Sequence, residues 1–204
     1  MLEARDLAAR RGHARLFSGV GFRVDRGQVL IVTGANGTGK TTLLRMLAGF
    51  SVPDHGEIRW DGEAMAPFDP RLRAAIAFAG HAPALKDELT AEENLASLTA
   101  LAGETVSSAD LRRALADVAL ERKRALPARV LSQGQRRRIG LARLALLRRR
   151  LWVLDEPVTA LDAAGTALLA DMVRRHLEAG GVAVAATHAP LGLPDARVQP
   201  LALA

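Results

Sequence analysis

The sequence predicts an α/β fold: a parallel sheet covered by helices, an N-terminal part built of antiparallel strands, and an inserted helical segment. Three observations predict it. The apolar run Val29-Leu30-Ile31-Val32 feeds a glycine-rich turn, Gly34-Ala35-Asn36-Gly37-Thr38-Gly39-Lys40-Thr41-Thr42, which opens onto the helical run Leu43 to Ala48. Leu151-Trp152-Val153-Leu154 and Val182 to Ala186 are continuous apolar runs, as parallel strands buried on both faces require. Between Leu89 and Leu147 the apolar spacing is helical.

Taken in order, residues 1–33 read as short strands and turns, with alternation over Val20 to Val24 and a turn at Asp25-Arg26-Gly27-Gln28. Pro53-Asp54-His55-Gly56 turns into the alternating strand Glu57-Ile58-Arg59-Trp60, and Asp61-Gly62 turns again. Ala74 to Ala79 is a further apolar strand, ending at Gly80-His81-Ala82-Pro83. Thr90, with Glu93 three residues on, forms a capping box that starts a helix through Leu98. A second helix runs from about Ala109 to Val118, and a third follows Leu131-Ser132-Gln133-Gly134-Gln135 with Ile139, Ala142 and Leu146 at helical spacing. A helix from Ala163 to Glu178 stops at Gly180-Gly181, and the last strand delivers Thr187-His188. This predicts one domain, 1–204. Residues 1–80 and 151–204 form its core and β subdomain, residues 81–150 a helical subdomain, and the close at Ala204 leaves no regulatory appendage.

At 204 residues the chain is long enough for a sizeable core. The absence of cysteine excludes disulfides and thiolate metal sites and is compatible with a reducing compartment. No apolar run approaches the roughly 18 residues of a membrane span, and Met1 to Asp6 lacks a signal-peptide pattern, so any membrane work falls to a partner. The net charge of +6 is carried almost entirely by arginine in an alanine-rich chain. Compositional bias explains that basicity as well as a lipid or nucleic-acid contact does. With 3% aromatic residues and no tyrosine, no base-stacking platform is present and no nucleic-acid partner is expected.

The glycine-rich turn has the makings of a phosphate cradle. Its glycines let backbone N–H groups converge, the following helix N-terminus adds partial positive charge, Lys40 reaches the β/γ-phosphates, and the Thr41 hydroxyl takes a position on Mg²⁺. Asp155, at a strand terminus beside that loop, is placed to hold the same ion, and Glu156 to polarise the water that attacks the γ-phosphorus. A helix N-cap is the competing role for this carboxylate pair. His188, after the final strand, fits a sensor of the γ-phosphate. Ser132-Gln133-Gly134, at a helix start, forms a second anion site on a chain whose first site already holds its phosphates. His13, His55 and His176 read as structural, with no histidine in an identifiable apolar pocket. The runs Arg136-Arg137-Arg138 and Arg148-Arg149-Arg150 read as solvated helix faces and ends, with anionic lipid or acidic loops of membrane subunits as the minor alternative.

Glycine-rich loop, Ser132 segment, Asp155-Glu156 strand, Thr159-Ala160-Leu161-Asp162 and His188 stand in one order. Together they resemble the nucleotide-binding subunits of ATP-binding-cassette (ABC) transporters over essentially the whole chain. The resemblance implies a P-loop NTPase core with ATP and Mg²⁺ as ligands. It also implies a head-to-tail dimer in which Ser132, Gly134, Gln135 and Asp162 of one copy close over ATP held by Gly34 to Thr42 of the other. It gives catalytic roles to Glu156 and His188 and metal contacts to Thr41 and Asp155. Two positions depart from the family pattern. Counting back from Phe17 and Phe22, the adenine-stacking aromatic is replaced by Arg11, whose guanidinium can also stack on a base. The glutamine that approaches the metal is replaced by His81. A neutral imidazole accepts from a metal-bound water and loses that ability once protonated, at roughly pH 6–7 when unperturbed. A surface histidine is the competing role.

The run Gly80 to Leu95, with Leu16-Phe17-Ser18-Gly19 near the start, is similar to the ATPase subunits of the bacterial cytochrome c maturation system. This implies integral membrane permease partners and a peripheral position on the cytoplasmic face of the inner membrane. The implied work is heme export or the release of a heme-loaded periplasmic chaperone, between which the residues do not choose. The alternatives are an ABC ATPase for another substrate, a non-transport ABC ATPase of chromosome maintenance or translation, and a non-hydrolysing scaffold. Fewer than 100 residues between Gly34 and Ser132 exclude a long coiled-coil insertion, and Lys40, Glu156 and His188 oppose the scaffold.

Overall fold

A computed structural model describes all of residues 1–204. Its N-terminal sheet is antiparallel. β1 (Leu2–Arg11) and β2 (Ala14–Val24) form a hairpin, β4 (His55–Trp60) pairs with the other edge of β1, and β5 (Glu63–Ala64) with β4. The expected short strands are in fact long, 10 and 11 residues in β1 and β2. Register shifts at Ala4/Leu7 and Leu7/Ala9, with Asp6 at φ 51°, break the period-2 alternation, so the pattern shows only in fragments. Leu2, Ala4, Leu7, Ala9, Phe22 and Val24 face the core. The other face carries a charge ladder in which Glu3 accepts from Arg5 at 2.8 Å and Glu57 from Arg59 at 3.0 Å.

The second sheet is wholly parallel, in the order β6 (Ile76–Ala79), β7 (Leu151–Asp155), β8 (Val182–Ala186), β3 (Val29–Thr33), β9 (Val198–Ala202). Six helices surround it: α1 (Lys40–Leu47), α2 (Pro70–Ala75), α3 (Ala91–Leu101), α4 (Ser108–Asp117), α5 (Gln133–Leu147) and α6 (Ala163–Glu178). The Thr90/Glu93 capping box forms as expected. Two elements go beyond the sequence reading. In α2, Asp69 accepts from the Arg71 N–H at 2.8 Å and Pro70 occupies the first turn, which takes Ala74 and Ala75 out of the expected strand. β9 contains Pro200, a residue that masks a strand in sequence and is tolerated because β9 lies at the sheet edge.

The parallel sheet separates two apolar layers. Leu30, Val32, Leu151, Val153, Val182 and Val184 pack with Leu43, Leu44 and Leu47 of α1 and with the antiparallel sheet. Val29, Trp152, Leu154, Ala183 and Ala185 pack with Ile139 and Leu144 of α5 and Leu169 and Val173 of α6. A one-residue slip of β7 would exchange these sets and drive Trp152 into space shaped by valines and leucines, so the register is strongly held.

His176 lies half-buried at the margin of the second layer, beside Arg26, Arg149 and Arg150, in the structural role expected of it. Its ring stacks on Trp152 at 4.1 Å with 8° between planes, and Nε2 lies 3.1 Å from the Val182 carbonyl. The spacing of α6 could not show that a tryptophan from β7 would meet it. Burial lowers the pKa of His176. The unfolded chain therefore takes up this proton first, and stability is lost as pH falls from the ordinary histidine value toward the lower folded one. His176→Gln should accordingly lose less melting temperature between about pH 7.5 and about pH 5 than the parent chain, as calorimetry will measure.

Candidate nucleotide and catalytic site

The carboxyl ends of β7, β8 and β3 lie side by side, where open α/β sheets bind ligands, and each delivers part of the site. After β3 the chain turns through Gly34 at φ 145°, a backbone region open only to glycine. A Cβ there would lie 2.5 Å from the Leu203 carbonyl oxygen. Gly39 caps α1 without a side-chain hydrogen bond, which leaves first-turn N–H groups for an anion. Lys40 is only 9% exposed. Its ammonium donates to the carbonyls of Gly34 at 2.7 Å and Ala35 at 3.1 Å, which holds the charge over the loop. Leu16 and Phe17 of β2 press on the loop, their side chains about 3 Å from where a Gly39 Cβ would stand.

Thr41 of α1 donates its hydroxyl hydrogen to Asp155 at 3.0 Å, across 114 residues of sequence. Asp155 is buried at the end of β7. Glu156, the next residue, has φ 47° and donates its N–H to the Ala186 carbonyl at 2.9 Å. Its carboxylate is half-buried, 3.7 Å from Nε2 of the more exposed His188. The sequence reading thus put side by side residues that the fold does bring together: Gly34 to Thr42, Asp155, Glu156 and His188. A hydroxyl and a carboxylate are hard oxygen donors, and Mg²⁺ typically takes one or two carboxylates and completes its octahedron with phosphate oxygens and water. The donor set at Thr41 and Asp155 fits that ion.

Ser132 lies apart from this cluster, exposed at the N-cap of α5. Its Oγ accepts from the Gln135 N–H at 3.3 Å, and the Gln135 side chain accepts from the Ser132 N–H at 3.1 Å. No hydrogen bond joins Ser132, Gly134 or Gln135 to the phosphate loop of the same chain. A Cβ on Gly134 would meet the Ala160 carbonyl at 2.7 Å, so only glycine lets the first turn of α5 approach the Ala160 turn this closely. Asp162 caps α6, accepting from the Gly165 N–H at 2.8 Å and from Arg138 at 2.6 Å, and these hydrogen bonds hold its carboxyl below the usual range. Arg11 is exposed at the tip of the β1–β2 hairpin. His81 is exposed in the turn after β6, where its carbonyl accepts from Arg137 at 2.7 Å and its ring makes no hydrogen bond to Thr41, Asp155 or Glu156.

The expectation that the arginine runs are solvated holds for Arg148, at the C-cap of α5, and for Arg150, both exposed, and is corrected for Arg137. Arg136 pairs with Asp87 at 2.6 Å, Arg138 with Asp162, and Arg137 is buried against the loops that follow β6 and β7. Arg149 pairs with Glu104 at 2.7 Å, and Arg150 with Asp61 at 2.8 Å while lying 5.3 Å over Trp60. A run of one residue type on a helix must point in several directions, and at Arg137 one of them is inward. The signal was available: Arg137 stands four and seven residues before Leu141 and Leu144, on the stripe that packs inward.

The ABC transporter family profile matches residues 17–159. The chain belongs to the ABC transporter family. As an ABC ATPase it is 45% identical over 203 residues to a Nitrosomonas europaea protein named cytochrome c biogenesis ATP-binding export protein CcmA, covering 100% of this chain and 95% of that one. The Aromatoleum aromaticum protein of the same name is 50% identical over 197 residues, covering 95% and 92%. Among solved structures, an ATP-binding protein of Pyrococcus furiosus assigned to the ABC transporters superposes with a TM-score of 0.83 at 27% identity, over 99% of this chain and 96% of that one. The ATP-binding subunit of another ABC transporter gives 0.79 at 28%, over 92% and 80%. This ABC ATPase has the expected fold class: a parallel-sheet P-loop core, an antiparallel β sheet and inserted helices. No helix in it is long and apolar enough to cross a membrane.

Proposed function

We propose that this chain hydrolyses Mg-ATP as the ATP-binding subunit of a membrane transporter complex in cytochrome c biogenesis. The observation that carries the reading is the meeting of four groups from three adjacent strand ends: Thr41 against Asp155, and Glu156 against His188. Lys40 and the uncapped first turn of α1 hold the β/γ-phosphates. Thr41 and Asp155 hold Mg²⁺, which when bound neutralises charge on the phosphate oxygens. Glu156 orients and polarises the attacking water, and His188 positions Glu156 and the γ-phosphate. Arg11 would stack on the base, and His81 would accept a hydrogen bond from water beside the ion if the helical segment, residues 81–150, closed.

Ser132, Gly134, Gln135 and Asp162 serve the ATP of a second copy. What supports this is the exposure of Ser132 and Asp162, an anion-binding helix end, and the absence of hydrogen bonds to the chain's own phosphate loop. Two copies then close on two ATP molecules, and hydrolysis releases them. The membrane subunits contact a groove of about 610 Å³ beside β6, whose apolar walls include Phe50, Phe78, Pro83, Leu98 and Leu101. Phe50 and Leu101 are 42% and 82% exposed there, an unusual position for large apolar side chains. The subunit works at the cytoplasmic face of the inner membrane, where its cycle drives heme export or the release of a heme-loaded chaperone.

Ser132→Arg tests the dimer. It places a long cation where the partner's ATP would sit, on an exposed residue whose loss costs only a helix cap, about 1 kcal/mol. ATPase activity should vanish while each monomer still binds ATP, as phosphate release and fluorescent-nucleotide titration will measure. Unchanged turnover would sink the two-copy reading.

A further inference from the structure

Arg137 is the one buried charge on α5, 5% exposed. Its guanidinium is saturated by main-chain carbonyls. Nη1 donates to Gly80 and His81 at 2.7 Å each, Nη2 to Asp155 at 2.9 Å and Glu156 at 2.7 Å, and Nε to Pro157 at 3.4 Å. Arginine has five N–H donors in a rigid fork, and here each has a carbonyl. Burial lowers its pKa against the opposing charges of Asp155 and Glu156, so the site bears a desolvation cost that these hydrogen bonds must offset.

The five carbonyls belong to two turns. One is Gly80-His81, which follows β6 and borders the groove. The other is Asp155-Glu156-Pro157, which carries the water-polarising carboxylate. Glu156 sits in that turn at φ 47°, a left-handed conformation that a residue with a Cβ keeps only when its surroundings impose it. The same helix has a second tie to this region, since Arg143 donates to the Phe78 carbonyl at the end of β6.

We infer that Arg137 is a positioning residue that holds Glu156 in its left-handed turn and joins that turn to Gly80-His81 at the groove. A shift of Gly80-His81 is thereby felt at Glu156 without passing through the phosphate loop. The catalytic half of this inference rests on the proposed ATPase reading; the positioning half rests on geometry alone.

The test uses the full-length chain carrying Arg137→Gln. ATP turnover measured against ATP concentration should show kcat reduced about tenfold to a hundredfold with nucleotide affinity unchanged to within about twofold. Arg137→Lys, which keeps the charge and at most three donors, should recover part of the loss. In a Glu156→Gln background, Arg137→Gln should add nothing, because the group it positions is gone. Additive losses, or affinity falling in step with kcat, would overturn the proposal. A measurement that needs no turnover separates it from the ATPase reading. Amide hydrogen exchange over residues 156–160 should quicken about tenfold in Arg137→Gln while exchange over Leu43–Leu47 is unchanged. Unchanged exchange at 156–160 overturns the positioning role even in an active ATPase. Quickened exchange in a parent chain that hydrolyses no ATP upholds it and removes the proposed activity instead. Should Arg137→Gln fail to fold, Arg137→Lys carries the same two measurements with smaller changes expected in the same direction.

Discussion

Glu156→Gln is expected to lower steady-state ATP turnover by about a hundredfold or more while each copy keeps its affinity for Mg-ATP. Glutamine has nearly the same shape as glutamate, so the turn at φ 47° and the main-chain bond to Ala186 survive the substitution. What is lost is the anionic oxygen that draws a proton from water, which in the parent chain lies 3.7 Å from His188. In the proposed function binding rests on other groups: Lys40, the first turn of α1, and the Thr41–Asp155 pair. ATP should therefore accumulate unhydrolysed and favour the two-copy state. Phosphate release gives turnover, equilibrium dialysis gives affinity, and size-exclusion chromatography with ATP gives the assembly. A decrease of less than about threefold would move the role of base to another residue.

The second large effect belongs to the phosphate loop, and it separates two glycines that look alike in sequence. Gly34→Ala forces a Cβ to 2.5 Å from the Leu203 carbonyl oxygen and 2.8 Å from the Thr38 hydroxyl, in a conformation at φ 145° that alanine avoids. Steric overlap and backbone strain together should cost roughly 2–5 kcal/mol, a fall of roughly 5–15 °C in melting temperature for a chain of this length. Gly37→Ala also has a positive φ, 90°, but its Cβ meets nothing within 4 Å. It should cost only the left-handed strain, about 1–2 kcal/mol. Nucleotide affinity should follow the same order, since the Gly34 carbonyl also anchors Lys40. Thermal denaturation and nucleotide titration of the two variants check this, and equal losses would mean that the contact with Leu203 is unimportant.

The residues of the first cluster could be picked out because the pattern is written locally. Strand, loop, helix and carboxylate each occupy consecutive residues, and the rule that ligands gather at strand carboxyl ends supplies the assembly. Helix starts were readable for the same reason: Thr90 with Glu93, Ser132 with Gln135, and Asp162 each fix their own boundary. What escaped depends on neighbours far away in sequence. β9 is a strand because β3 lies beside it, despite Pro200, and β1 is long because bulges realign it against β2 and β4. The inward direction of Arg137 could be read on its own helix, but its partners, the carbonyls of Asp155 and Glu156, and the Trp152 ring that meets His176 come from elsewhere in the chain. A sequence window sees the helix on which each stands, and not the strand that meets it.

Pro200 has one more consequence. Leu203 donates its N–H inward to Thr33, so by the alternation of the strand Val198, Pro200 and Ala202 turn their main-chain groups to the open side, and the middle one has no hydrogen to give. A stray strand offering itself to this border finds its ladder interrupted halfway. The free edge of the sheet is thus a poor template for self-aggregation, a defence built from a single missing proton.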